Sequence, residues 1–222
     1  ADCVAPEHTQ WHDGASVVPT CVVLRVADHD RRAAAVAGDN ADGATFSVPP
    51  ARTALLEGRR LSAGDLDMYK IDLRGLRVAD DTGASLYVRF EPDDRRAHDV
   101  DHVMRLLADD YPSRDRYSHS GATRIQLAPH EVQPRAYYVS VTNVLGGTVR
   151  YSLRVALHAP IAAHPGADFA LRADEDDGQR VLYYYYDLLR YAAPRELRLT
   201  FDHAPRDATA VQCATLGAAP VR

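Results

Sequence analysis

Few residues in this chain are spaced for chemistry. Asp65 and Asp67 bracket Leu66 in the turn Leu61-Ser62-Ala63-Gly64-Asp65-Leu66-Asp67. Hard cations take several oxygen ligands, and two carboxylates in one loop supply part of a calcium shell. The plainer role is a turn in which each Asp side chain bonds nearby backbone. His98-Asp99-Val100-Asp101-His102 has the best transition-metal spacing. Imidazoles four residues apart share a helix face, and Asp101 adds an oxygen; the competing reading is a solvated charged loop. Asp174-Glu175-Asp176-Asp177 either binds calcium between domains or is a solvated linker. Ser118, His119 and Ser120, with the many Asp, supply a Ser-His-Asp set on paper. No Gly-x-Ser-x-Gly elbow accompanies them, and a triad is recognised by geometry, not composition. There is no phosphate-cradling Gly-rich loop, no CxxC and no HExxH. Catalysis within this chain is therefore not expected, and calcium is the one cofactor the acidic turns admit.

The cysteines are Cys3, Cys21 and Cys213. Cys3 and Cys21 flank a short segment and are expected to close a loop of about 19 residues, worth roughly 3 kcal/mol on the chain-entropy view. The alternative is two reduced, buried thiols. A disulfide implies an oxidising compartment, and the odd Cys213 then looks for a partner outside this stretch of chain. The opening Ala1-Asp2-Cys3 has neither an initiator Met nor a charged, apolar leader, as a mature chain after signal removal would. Extracellular or cell-surface placement is the expectation.

Tyr183, Tyr184, Tyr185 and Tyr186 form an unusual run. On a strand, Tyr183 and Tyr185 face one side and Tyr184 and Tyr186 the other. One pair suits a core. The other suits a contact surface, because Tyr is favoured at interfaces.

Composition narrows the function classes. The 222 residues carry 26 Lys+Arg against 31 Asp+Glu, a net charge of −5. A nucleic-acid binder would need a basic face to displace counterions, so none is expected. No apolar run reaches the roughly 20 residues of a bilayer-spanning helix, so membrane insertion is not expected. The apolar fraction of 46 % supports a packed core. Twelve Tyr against 4 Phe and 1 Trp suit half-buried pleated surfaces.

The elements that must carry these residues read as strands. Cys21-Val22-Val23-Leu24-Arg25-Val26 is β-branched and follows a polar, irregular arm. Met68 to Leu73, Ser85 to Phe90 and Thr123 to Leu127 alternate apolar with polar residues, the period of a half-buried strand. Residues 93–120 read as charged and irregular around Val103-Met104-Arg105-Leu106-Leu107. Ala136 to Thr142 and Val149 to Val155 read as a hairpin around Asn143, Gly146 and Gly147. After Pro160 the pattern restarts. Tyr69-Lys70-Ile71-Asp72-Leu73 aligns with Tyr184-Tyr185-Tyr186-Asp187-Leu188, an offset of 115 residues (69 to 184). Leu86 to Phe90 aligns with Leu197 to Phe201 at an offset of 111 (86 to 197). A tandem β unit is expected, with the second copy cut short. The divisions are 1–44, a cysteine-containing segment and linker; 45–158, a complete β unit; and 165–222, a partial second one.

Three stretches of residues 45–158 resemble the bacterial pre-peptidase C-terminal domain and the related collagen-binding domains of secreted collagenases. Leu61 to Leu73 is similar to that family's opening turn and strand. Leu86-Tyr87-Val88-Arg89-Phe90 is similar to a following strand. Arg135-Ala136-Tyr137-Tyr138-Val139-Ser140-Val141 with Tyr151-Ser152-Leu153-Arg154-Val155 is similar to its closing pair. The resemblance implies an all-β, antiparallel, jelly-roll-like sandwich. It also implies a non-catalytic role, structural or adhesive, in a larger modular protein or assembly. Implied partners are neighbouring domains or subunits, polysaccharide or matrix protein. The alternative is an accessory domain of a secreted hydrolase that binds substrate or polysaccharide, with or without calcium. The chain departs from the family in its 93–120 insertion and lacks a clear acidic calcium linker before the first strand; Asp39, Asn40 and Asp42 come nearest.

Overall fold

The computed structural model describes residues 9–10, 16–26, 52–76, 83–93, 102–144, 147–159, 161–163 and 184–186. The described residues form strands and connecting turns without a helix. In chain order the strands are β1 (Thr9–Gln10), β2 (Ser16–Val17), β3 (Thr20–Val22), β4 (Arg25–Val26), β5 (Arg52–Leu61), β6 (Leu66–Asp72) and β7 (Ser85–Pro92). There follow β8 (His102–Ala108), β9 (His119–Gly121), β10 (Arg124–Leu127), β11 (Ala136–Asn143), β12 (Val149–His158), β13 (Ile161–Ala163) and β14 (Tyr184–Tyr186).

Two five-stranded sheets dominate. Sheet I runs β10-β7-β12-β5-β4 and sheet II runs β9-β8-β11-β6-β3. Most pairings are antiparallel; β3 runs parallel to β6. Written in this sense, each strand of one sheet has its chain neighbour at the same place in the other: β3 with β4, β5 with β6, β7 with β8, β9 with β10, β11 with β12. The inner faces share one core. Tyr69, Ile71, Met104, Leu106, Val139 and Val141 come from sheet II, and Leu86, Val88, Tyr151, Leu153 and Val155 from sheet I. These alternate along their strands with outward residues, as period-2 geometry requires.

Both sides of this two-layer structure close by short switches between sheets. Val23 and Leu24 carry the chain from β3 to β4, and Ala122 and Thr123 carry it from β9 to β10. Gly121 makes the second switch possible. A Cβ there would overlap the Arg124 carbonyl oxygen, so only glycine allows the chain to fold back so closely.

Three expectations need correcting. β11 and β12 are not a hairpin: β11 lies between β6 and β8, whereas β12 lies between β5 and β7. Both are central strands, and the turn between them steps across the two layers. Residues 93–120 are not irregular throughout, because β8 and the first two residues of β9 fall within them. The run Cys21 to Val26 is not one strand but two, because the chain crosses at Val23 and Leu24, so that β3 extends sheet II and β4 extends sheet I.

The outer face of sheet II is also covered. Met68 and Tyr111 are buried there, with Val17, Leu66 and Tyr138 packed against them. The Tyr111 ring lies 4.7 Å from that of Tyr138. The strap from Asp109 to Ser118 starts at Asp109 with φ 58. An Arg116–Asp110 ion pair of 2.6 Å ties it across, and the Ser118 amide donates to the Leu106 carbonyl at 2.9 Å. Lys70, the one lysine, is buried on this face with its Nζ 5.9 Å from the Tyr138 ring centre.

Candidate functional site

The most developed side-chain cluster lies between the sheets, and a strand irregularity creates it. In β5 the register against β12 shifts between Tyr151 and Leu153, so Glu57 and Gly58 together oppose Ser152. Gly58 sits at φ +66, where side chains are strained. A bulge of this kind inserts one residue and reverses which residues face inward. Before it Ala54 and Leu56 pack on the core; after it Arg59 and Leu61 turn in and Arg60 turns out.

Arg59 thereby reaches two groups on the opposite sheet. Its Nε donates to the Tyr69 hydroxyl at 3.1 Å, its Nη2 lies 3.8 Å from Asp67 Oδ1, and its Cζ is 5.7 Å from the Tyr69 ring centre. The Tyr69 and Tyr151 hydroxyls are 2.5 Å apart. Tyr151 donates to Asp67 Oδ2 at 2.5 Å. Each phenol owns one hydrogen. Tyr151 gives its own to the carboxylate, so Tyr69 donates to Tyr151, and the chain of donors runs Arg59, Tyr69, Tyr151, Asp67. Phe90 stacks on Tyr151 at 4.7 Å, and the His102 ring lies 4.3 Å from Phe90.

Burial pushes the Tyr151 phenol far above its ordinary range, and the neighbouring Tyr69 and Asp67 push the same way. Burial likewise raises Tyr69 and the Asp67 charge adds to the rise, although the Arg59 charge and the bond Arg59 donates pull back. Burial tends to lower the Arg59 guanidinium, but Tyr69, Asp67 and Tyr151 outweigh it and raise it. General acid–base catalysis wants a group poised near the working pH. These phenols hold their protons well beyond it. The arrangement suits clamping one sheet to the other through charge-assisted bonds whose phenols are buried while Arg59 and Asp67 stay partly exposed.

The residues singled out from sequence fall in several places. Asp67 joins this cluster, whereas Asp65 stays exposed in the turn, where its amide donates to the Ser62 carbonyl and its carbonyl accepts from the Asn143 amide. Among the described residues no group of three His, Cys, Asp or Glu gathers around a cation position. His102 is on strand β8, not a helix, and its ring is buried against Phe90; His98 lies outside the described residues. Cys21 is disulfide-bonded, and its register partner on β6 is Lys70. Cys3 and Cys213 lie outside the described residues, as do Tyr183 and the acidic run from Asp174 to Asp177. Tyr184, Tyr185 and Tyr186 form β14, parallel to β13.

Ser118 and His119 do meet a carboxylate, from Glu131. His119 Nδ1 lies 3.1 Å from Ser118 Oγ, and its Nε2 lies 3.3 Å from Glu131 Oε1. The Ser118 hydroxyl, however, donates to the Leu106 carbonyl at 3.0 Å, so its single hydrogen is not offered to the imidazole. Glu131 Oε2 accepts the Ala128 amide at 2.7 Å. The trio fastens β9 to the turn that follows β10.

Arg59, Tyr69 and Tyr151 went unnoticed in the sequence. A glycine inside a strand-like stretch is the signal that could have found them, since it marks a bulge that re-aims a side chain. The chain matches no protein-family model and no curated protein.

Proposed function

We propose that this chain is a non-catalytic, extracellular structural or adhesive module of a larger assembly, built as one jelly-roll-like unit followed by the start of a second. The strand order supports the jelly roll. Counted from β5 as one to β12 as eight, sheet I runs six-three-eight-one and sheet II five-four-seven-two. That is a chain wound as paired neighbours around two layers, as in double-sheet jelly rolls.

One observation carries the second unit. In the first, Thr20, Cys21 and Val22 run parallel to Tyr69, Lys70 and Ile71, residue against residue. In the second, Ile161, Ala162 and Ala163 run parallel to Tyr184, Tyr185 and Tyr186 in the same order. Tyr184 to Tyr186 are the residues that align with Tyr69 to Ile71 at the 115-residue offset (69 to 184). A parallel pairing therefore recurs on the aligned strand, with its partner strand 141 residues on (20 to 161). In the first unit β6 is also covered on its other edge by β11. Among the described residues β14 has no such neighbour, and a two-stranded ribbon is marginal in water. Strands from a further stretch of chain or from a partner would complete it, by edge pairing.

Limited proteolysis and sedimentation of residues 1–222 test this reading. Cleavage within 165–222, suppressed on adding the partner or the continuing chain, is expected. A monomer resistant to protease through 165–222 would overturn it.

A further inference from the structure

We propose that the outer face of sheet I receives carboxylates from a second copy of this chain, at a slot between Arg60 and Arg150. This rests on the reading that the chain works within an assembly of like modules.

The outward positions of sheet I are rich in arginine. Arg60 and Arg150 are direct register partners on β5 and β12. Arg89 and Arg154 are direct partners on β7 and β12, and Arg124 on β10 is opposite Arg89. Like charges placed directly opposite in a sheet repel. The Arg89–Arg154 pair is relieved by Glu91, whose Oε1 lies 3.4 Å from Arg89 Nε and 3.3 Å from Arg154 Nε. One carboxylate oxygen thus bridges a cross-strand arginine pair. Arg60 and Arg150 repeat that pair two residues beyond Glu91's partner Ser152 on β12. Both are exposed, and no carboxylate of the described residues stands within ion-pair distance of either. The bulge at Gly58 is what turns Arg60 outward to make the pair.

The chemistry of the missing partner follows from the filled pair: a carboxylate. A second copy fits because the chain carries 31 acidic against 26 basic residues. A basic face on an otherwise acidic molecule is complementary to the rest of the surface of its neighbour. Such a contact joins unlike surfaces, so copies add head to tail and form open chains or rings. That outcome suits an assembly built of repeated units.

Sedimentation velocity of the 222-residue chain tests the slot, at about 10 mM and about 1 M salt, where screening lengths are roughly 30 and 3 Å. Self-association is expected at low salt, weakened roughly tenfold or more at high salt and in R60E/R150E. The milder R60Q/R150Q, checked for fold by circular dichroism, is expected to weaken it in the same direction. A chain that stays monomeric at low salt overturns the inference. So does association indifferent to salt and to both variants, although that result leaves the proposed assembly standing. Polygalacturonate binding that needs Arg60 and Arg150, without self-association, would reassign the slot to an acidic polysaccharide and overturn it as well.

Discussion

The hydroxyl of Tyr69 on sheet II lies 2.5 Å from that of Tyr151 on sheet I, in a core where both rings are fully buried. The contact crosses from one layer to the other, ends on a carboxylate and begins on a guanidinium. Removing any member strands another. That asymmetry makes the cluster testable through stability.

Alkaline pH is the first lever. Both phenols bind their protons more tightly in the folded chain than in the unfolded one, chiefly because burial disfavours phenolate. Raising the pH past about 10 strips the unfolded chain first, so the folded state loses ground from there upward. Stability is expected to be insensitive to these groups at neutral pH and to fall above pH 10. Urea denaturation from pH 8 to 11 measures it. In Tyr151→Phe the fall should be shallower; an equally steep fall would mean that other groups drive it.

Asp67 is the second. Asp67→Ala leaves the Tyr151 hydroxyl without its acceptor and removes the carboxylate 3.8 Å from Arg59, at an expected cost of about 1.5–3 kcal/mol. Tyr151→Phe removes one donor and should cost less. A double-mutant cycle of the two should give a coupling of about 0.5–3 kcal/mol, because they share one short bond. Additive losses would show that the bond contributes nothing beyond its separate parts.

The bulge is the third. Gly58 has φ +66 and open space around its missing Cβ. Gly58→Ala therefore meets only backbone strain, about 1–2 kcal/mol for a left-handed residue. Thermal melts should show a loss of about 2–4 °C per kcal/mol in a chain of this size. A neutral substitution would mean that β5 does not need glycine to turn Arg59 inward.

These residues also mark how far the sequence could be read. β6, β7, β10, β11 and β12 were legible because one face of each packs inward and alternation survives. β5 was not, because its extra residue resets the alternation between Leu56 and Arg59. β8 hid for a different reason. Leu107 faces outward, half-buried, while Met104 and Leu106 face inward, so both faces look apolar. Pairing was harder still. Nothing in Ala136 to Val155 distinguishes two strands joined side by side from two strands stacked across a core, since both alternate and both need a turn. Asp67 was visible as an acidic turn residue, but its partners Tyr151 and Arg59 come from β12 and β5, and only the stacking of the layers brings them together.

Gly121 gives the most direct test of that stacking. It ends β9 immediately before the chain crosses to β10, and its φ is unremarkable, so glycine is needed there for space alone. Gly121→Ala drives a methyl group into the Arg124 carbonyl, which is backbone and cannot swing aside. Either β10 shifts in register against β7 or the switch opens, and Ile125 and Leu127 lose part of their packing in the shared core. The expected cost is about 1–3 kcal/mol, in the range of overpacked sites, read from urea midpoints with an unchanged slope. Val23, at the opposite switch, is exposed, so Val23→Ala should change stability by no more than about 0.5 kcal/mol. Equal effects at the two switches would mean that the β9–β10 crossing is not the tight one.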